Sequence, residues 1–539
     1  MFLSVSGKSY DVVIVGGGHN GLVCGAYLAR AGLTALALER RSVIGGASAT
    51  EELGPGFRIN TAAHLMGLLQ PKIILDLELQ KFGYEVLPAP PQVHPLEDGS
   101  CFIHWSDRQR FAAELGRYSE KDAAAYPAFE ATLDRIGRVF QNLLWEIPFD
   151  PRSLHPLDLF DRLRFLWRQR SAAPMFADLY ELLTASAFDY LSRRFRSEAA
   201  LAALGYYPAA AAGQTVSIHT PGTAYYLLRG AVRDSTTAAG PTGVVRGGMG
   251  SIPAAIAASG RRFGLDIRTD AEVASILTKD GKASGVALTS GEEIGARIVV
   301  ANAAARSTFL NLVEPSLLPD GFLDEMRVFR NTASSFKIHW ALDRLPEFTA
   351  FPADKTGFGY PAQFRIAPSV QYIEDSYNAM KSGRIAERPY ITVLVQSVVD
   401  PSLAPEGKHV VSLYGGHAPF KPDGGWNDAG RKAIRDAALG ALEKHAPDFS
   451  SAIIHEQILA PSDFEDIFGL PGGNPHHADV DLDRLFFRRP ALGYSDYRSP
   501  VAGLYLASAS VHPGGGVTGV PGHNAARVIL ADRRRGRWR

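Results

Sequence analysis

Cysteine is nearly absent: the 539 residues include only Cys24 and Cys101. Their distance in sequence excludes both a disulfide framework and a Cys-x-x-Cys redox pair. Net charge is absent as well. Lys and Arg number 56 and Asp and Glu 56, so no global field draws the chain to nucleic acid or to an anionic bilayer. The first ten residues hold no apolar leader, which makes the cytoplasm the expected location. Residues 199–228 and 499–526 carry no Asp, Glu, Lys or Arg and are long enough to span a bilayer. Pro208, Gln214, His219 and Pro221 interrupt the first, and Gly514, Gly515, Gly516, Gly519 and Pro521 the second. Both are therefore expected to wall a ligand, not to cross a membrane. The 46% hydrophobic and 21% charged content is that of an ordinary folded chain, long enough for two domains.

What is present begins at residue 10. A short β-branched run over residues 10–15 reads as a strand buried on both faces. It leads into Gly16-Gly17-Gly18-His19-Asn20-Gly21, then a helical pattern over residues 22–31, closed by Gly32. A second apolar strand, residues 34–38, ends in Glu39, 23 residues after the first glycine. Gly16 makes the tight turn, Gly18 admits a pyrophosphate and Gly21 lets helix and strand pack closely. The helix N-terminus, with its free N–H groups, suits the anion. A carboxylate at Glu39 accepts ribose hydroxyls and repels a 2′-phosphate. His19 and Asn20 are loop positions beside the cofactor, with no chemistry assigned to the His19 side chain. Arg40 follows, and Gly45-Gly46-Ala47 supplies a second close backbone approach, useful to a cofactor that continues past the pyrophosphate toward a flavin.

From these segments on, the chain resembles the phytoene desaturase-type flavoproteins of the amine oxidase-like FAD superfamily. The likeness runs over essentially the whole chain, through GGGHNGLVCGAYLARAGL, ERRSVIGGASATEE, HTPGTAYYLL, RGGMGSIPAAIA, GLPGGNPHHADVDLDRLFFRRP and GLYLASASVHPGGGVTGVPGHNAA. The resemblance implies an α/β fold: a Rossmann-like FAD-binding domain of the amine oxidase-like type with an inserted α+β substrate-binding domain. Residues 1–75, 239–330 and 489–539 are expected to form the former, and 76–238 and 331–488 the latter. It also implies that Val273 meets the adenine, that Asn302 lies under the pyrophosphate, and that His512, Gly515, Gly516, Val517 and Thr518 lie against the isoalloxazine. Ser508 stands where that pattern often has Gly.

For chemistry, the resemblance implies FAD-dependent two-electron oxidation of an apolar small molecule by hydride transfer to flavin N5, as a dehydrogenase, desaturase or oxidase. A non-redox isomerase using reduced FAD and a flavin-stabilised interaction protein without turnover are the alternatives. His219 and His477 match motifs on the substrate side, and an ordinary histidine pKa suits proton transfer near neutrality. The electron acceptor stays open among oxygen, a quinone and a carrier. Gly247-Gly248-Met249-Gly250 lacks the third glycine of a second dinucleotide site, and Pro253 stands in its place. His476, His477, Asp479, Asp481 and Asp483 fit no metal-ligand spacing, so no metal is expected. Tyr206-Tyr207 and residues 225–228 suit an apolar tunnel or a plain core. Residues 160–170 mix aromatic and arginine side chains, which suits a peripheral membrane contact, a solvated helix or a homodimer contact. The arginine-rich residues 533–539 read as a disordered, solubilising end.

Overall fold

A computed structural model describes residues 9–88, 90–210, 216–228, 243–329, 335–351 and 359–538. Gln214 and the domain boundaries at 238/239 and 330/331 lie outside them. The described residues build two seven-stranded sheets and two short ribbons. The first sheet contains β1 (Tyr10–Val15), β2 (Ala35–Leu38), β9 (Leu265–Arg268), β10 (Val273–Lys279), β11 (Lys282–Leu288), β12 (Glu293–Ala301) and β18 (Leu504–Leu506). Their order is β10-β11-β12-β1-β2-β9, with β18 paired to the end of β12. β9, β2, β1, β12 and β18 run parallel, and β10–β11–β12 is an antiparallel meander. Such parallel strands are covered on both faces and read as continuous apolar runs. Residues Val12, Val13, Ile14, Leu36, Ala37, Val299 and Val300 are accordingly buried.

The second sheet holds β6 (Gln92–Pro95), β7 (Cys101–His104), β13 (Phe336–Leu342), β14 (Gln363–Ile366), β15 (Ile391–Val395), β16 (His409–Gly415) and β17 (Ile453–Leu459), ordered β17-β13-β16-β15-β14-β6-β7. The ribbons are β3 (Thr50–Gly54) with β4 (Phe57–Asn60), and β5 (Val86–Pro88) with β8 (Gly243–Val245). Side chains alternate between faces along a strand. One face of the second sheet is apolar, with Phe336, Ile338, Trp340, Phe364, Val393 and Leu413 in a core beneath the helix Asp428–Glu443. The other face carries polar side chains, yet it too is buried.

The first helix spans His19–Arg30, three residues earlier than the apolar pattern suggests, because Gly18 in extended conformation acts as its N-cap. The last helix, Val520–Arg534, packs along it; a Cβ on Gly522 would stand 2.1 Å from the Asn20 carbonyl. Arg533 and Arg534 end that helix and Arg533 lies 5.8 Å over the Trp538 ring, so the expected disordered tail is ordered through residue 538. Residues 160–168 lie on the helix Pro156–Arg168, whose Phe160 and Trp167 are 63% and 65% exposed. Among the described residues no helix is long and apolar enough to cross a membrane.

Candidate functional site

A cavity of about 660 Å³ opens where the C-terminal ends of β1, β2 and β12 meet the polar face of the second sheet. Parallel sheets place ligands in this crevice, and the volume lies well within the range of small-molecule and cofactor sites. Gly16, Gly18, His19, Asn20, Glu39, Arg40, Gly45, Gly46, Ala47, Val273, Asn302, Gly516, Val517 and His477 all line it. Residues separated by hundreds of positions are thus brought to one surface.

Local bonds explain the shape of the cradle. The Gly16 N–H donates to Leu38 O at 2.8 Å, and Asn302 N–H to Val15 O at 2.9 Å, joining three strand ends. Glu39 accepts from Gly17 N–H at 2.8 Å and Arg41 N–H at 3.0 Å. A carboxylate has about four acceptor positions, so two backbone donors orient it and leave capacity for ribose hydroxyls. Gly45 N–H donates to Gly17 O at 2.9 Å, tying the second glycine approach to the first. A Cβ on Gly18 would meet Asn302 Nδ2 at 2.8 Å, so the strip beside the helix start stays open only for glycine. The buried His19 ring is pushed down to a pKa of about 4 by desolvation, against a hydrogen bond to the Gly516 carbonyl. That bond links the opening loop to the C-terminal one.

Five sequence candidates are placed elsewhere. Gly21 packs against Gly16 O and Asn302, and Gly515 against His476, so both support the wall without forming it. Thr518 passes its carbonyl to Gln70 N–H at 3.3 Å. His512 points away: its Nε2 lies 2.8 Å from Leu143 O, and its own carbonyl accepts from Tyr497 OH at 2.7 Å. His219 is exposed and rests 4.5 Å from the Phe188 ring, far from the role of a substrate-side base. His477 does line the cavity, but burial lowers its pKa to about 3, with Arg489 and His19 adding to the effect. A general base works best near the operating pH, so His477 stays neutral and serves as a polar wall.

Arg489 organises that wall. It is fully buried and donates to the carbonyls of Ala509, His476 and Asp479 at 2.8, 2.7 and 2.9 Å. Asn474 Nδ2 donates to Asp479 Oδ1 at 3.0 Å, and Tyr226 OH to Asp481 at 3.1 Å, so these acids belong to structural bonds. The N–H groups of the Gly247 loop are taken as well, by Asp400 at 2.6 Å, Asn60 at 2.8 Å and Thr50 at 2.8 Å.

Part of the polar lining comes from residues that sequence reasoning missed: His64, Gln92, Gln363, Arg365, Thr392 and Tyr414. Of the apolar segments expected to form a tunnel, Tyr206 reaches the cavity, whereas Tyr225, Leu227 and Leu228 lie in neighbouring cores. Lys337 lies one layer behind. Its Nζ donates to Asn60 O at 2.7 Å and Ala63 O at 3.3 Å, and Ala63 lines the cavity. Burial lowers its pKa to about 7.

The sequence pattern of the flavin containing amine oxidoreductase family matches residues 21–530. The chain belongs to that family and is a FAD-dependent oxidoreductase. It is 37% identical to mouse pyridine nucleotide-disulfide oxidoreductase domain-containing protein 2 over 97% of this chain and 94% of that protein. It is 25% identical to phytoene desaturase from Fusarium fujikuroi, over 97% of this chain and 88% of that one. The fold matches a solved oxidoreductase from Methanosarcina mazei with a TM-score of 0.62 at 16% identity, over 96% of this chain and 99% of that one. The cradle fits the cofactor: glycines where a Cβ would intrude, an oriented carboxylate at Glu39, and a helix N-terminus facing the gap. Replacing Glu39 with Ala removes the charged acceptor oriented toward the ribose hydroxyls, a loss of about 2 kcal/mol of binding. FAD affinity, followed by quenching of flavin fluorescence, is expected to fall roughly thirtyfold.

Proposed function

We propose that the protein catalyses two-electron dehydrogenation of a small organic molecule, its hydride passing to flavin N5. The observation that carries this reading is the unbroken cavity running from Glu39 and Val273 to the polar face of the second sheet. One length of it suits a dinucleotide and the other a substrate. Gly16, Gly18, Glu39, Gly45, Gly46, Val273, Asn302, Gly516 and Val517 would hold FAD, which supplies a two-electron acceptor. Residues 76–238 and 331–488 would supply the substrate side.

The chain's own residues then orient the substrate and exclude water. Leu65, Met66, Leu312 and Phe464 surround the cavity with apolar groups, which desolvate a C–H bond and strengthen every polar contact beside it. Lys337 is a buried amine whose pKa desolvation lowers to about 7, hydrogen-bonded to the Ala63 carbonyl of the wall.

Purified protein is expected to be yellow. Anaerobic screening against a library of oxidisable small molecules should find one that bleaches the flavin band with no prior reductant. Turnover that requires a pre-reduced flavin and consumes no acceptor would show an isomerase instead. A flavin that neither substrate nor dithionite can reduce would sink the oxidoreductase reading.

A further inference from the structure

The last turn of a helix leaves carbonyls without partners inside the helix, and that end carries partial negative charge. The helix Pro461–Phe468 follows β17 at the edge of the second sheet and ends at Gly469, whose φ of 67° is left-handed. Its closing bonds can be followed one by one. Gly469 N–H donates to Glu465 O at 2.8 Å and Leu470 N–H to Phe464 O at 3.3 Å. The carbonyls of Asp466 and Ile467 are met by a side chain from the opposite end of the sequence. Arg40 Nη2 donates to them at 3.0 and 2.8 Å.

This contact joins two parts of the cavity wall. Arg40 follows Glu39 at the end of β2, and both line the cavity together with Val273. Phe464, Phe468 and Leu470 line it from the helix and the turn after it. The Arg41 guanidinium lies 5.1 Å over the Phe468 ring and pairs with Glu51 at 2.7 Å, so the neighbouring arginine leans on the same helix.

We propose that Arg40 is a positioning residue: it latches this helix over the adenosine end of the cavity and so sets how fast FAD leaves. The inference rests on the placement of FAD given above, with its adenosine between Glu39 and Val273. Arg40 acts through the helix it holds, because the Nη2 that could attract a phosphate is turned to two carbonyls instead. A cationic donor at a helix C-terminus favours the closed arrangement by hydrogen bonds and by charge. Arg40 is exposed, so water competes for both bonds and the effect on release is moderate.

The same helix is tied down a second time, from outside the cavity. Arg431, on the helix Asp428–Glu443, forms an ion pair with both carboxylate oxygens of Asp463, at 2.6 Å to Oδ1. Asp463 also accepts the Ala460 N–H at 2.7 Å. Neither Arg431 nor Asp463 lines the cavity. Phe464 and Leu470 pack with Leu459, and Ala47 and Ala62 lie against that cluster. The helix therefore keeps its seat when either tie is cut, but holds it less tightly.

The test measures FAD release and FAD capture separately. Release is followed by the rise of flavin fluorescence when loaded protein is diluted, and capture by its quenching on flavin-depleted protein. Arg40→Met is expected to speed release about fivefold, with capture at least as fast as in the parent chain. Arg431→Met should speed release as well, although it touches no part of the cavity. Release at the parental rate in Arg40→Met would overturn the proposal. So would slower capture whose deficit grows as salt is removed, the mark of a cation that attracts the pyrophosphate directly. Faster release in Arg40→Met, with Arg431→Met at the parental rate, would likewise assign Arg40 to direct contact with the cofactor. Hydrogen exchange supplies a readout free of FAD: amides of residues 461–470 should exchange faster in flavin-depleted Arg40→Met than in the flavin-depleted parent. Protein without any flavin affinity would overturn the functional reading instead. The exchange comparison would then decide the latch alone, and equal rates would sink it.

Discussion

Gly522→Val is expected to yield protein that does not retain flavin. Gly522 lies in the first turn of the helix Val520–Arg534, where a Cβ would stand 2.1 Å from Asn20 O and 3.0 Å from Cys24 N. Both are backbone atoms of the first helix and cannot rotate aside. The two helices must therefore separate, and the loops feeding them carry opposite walls of the cradle, Gly16 to Asn20 on one side and Gly516 with Val517 on the other. Overpacking of this kind costs about 3 kcal/mol. Flavin affinity should fall at least a hundredfold, measured by dialysis against FAD, with a lowered melting temperature. Gly440 provides the control, since a Cβ there meets nothing within 4 Å and its helix is exposed on that side. Gly440→Ala should leave flavin retention unchanged and raise the melting temperature slightly, since Ala is the better helix former. A Gly522→Val protein that stays yellow through dialysis would refute this account of how the two ends hold each other.

Lys337→Met should lower turnover about tenfold, the effect of losing the hydrogen bond that braces the Ala63 carbonyl in the cavity wall, and remove an inflection near pH 7 from the rate profile. The amine is fully buried, and its pKa is pulled down to about 7 by desolvation. Above that pH the folded chain holds it neutral, while the unfolded chain keeps it charged until the ordinary lysine range. The unfolded state thus binds the extra proton across that window, and stability rises with pH from about 7 upward. Methionine abolishes that slope, so denaturant midpoints at pH 7 and pH 9 should converge in the variant. Flavin absorbance should be retained, since Lys337 lies behind the cavity wall and not in it. An inflection that persists in Lys337→Met would assign the titration to another group.

The nucleotide half was legible because its signals are local. Gly16, Gly18, Gly21 and Glu39 sit at fixed short spacings, and each spacing corresponds to one turn or one strand length. The C-terminal loop was legible in outline through Gly516 and Val517, but Gly515 and His512 were not, since only the packed chain shows the first set against His476 and the ring of the second turned to Leu143 O. His219 shows the limit of motif matching: a residue within a matching segment can still face solvent. Arg365 and Lys337 were missed for a different reason. Their strands read as alternating apolar and polar, Gln-Phe-Arg-Ile and Phe-Lys-Ile-His-Trp-Ala-Leu, and that alternation ordinarily marks a face turned to water. Only the strand order and the sheet's position over the cavity turn those residues inward. Large aromatics at Phe336 and Trp340 flanking Lys337 and His339 were the available hint.

The position of β18 also bears on when the protein becomes competent. This strand completes the first sheet from the far end of the chain, and the helix after it closes on the first helix. A ribosome therefore releases β1 and its glycine loop long before their partners exist. Flavin capture is expected to wait for this strand and helix to be made, and a cofactor that binds only the finished fold draws the population toward it by mass action. Vitamin supply during growth would then set how much of the newly made protein escapes proteolysis.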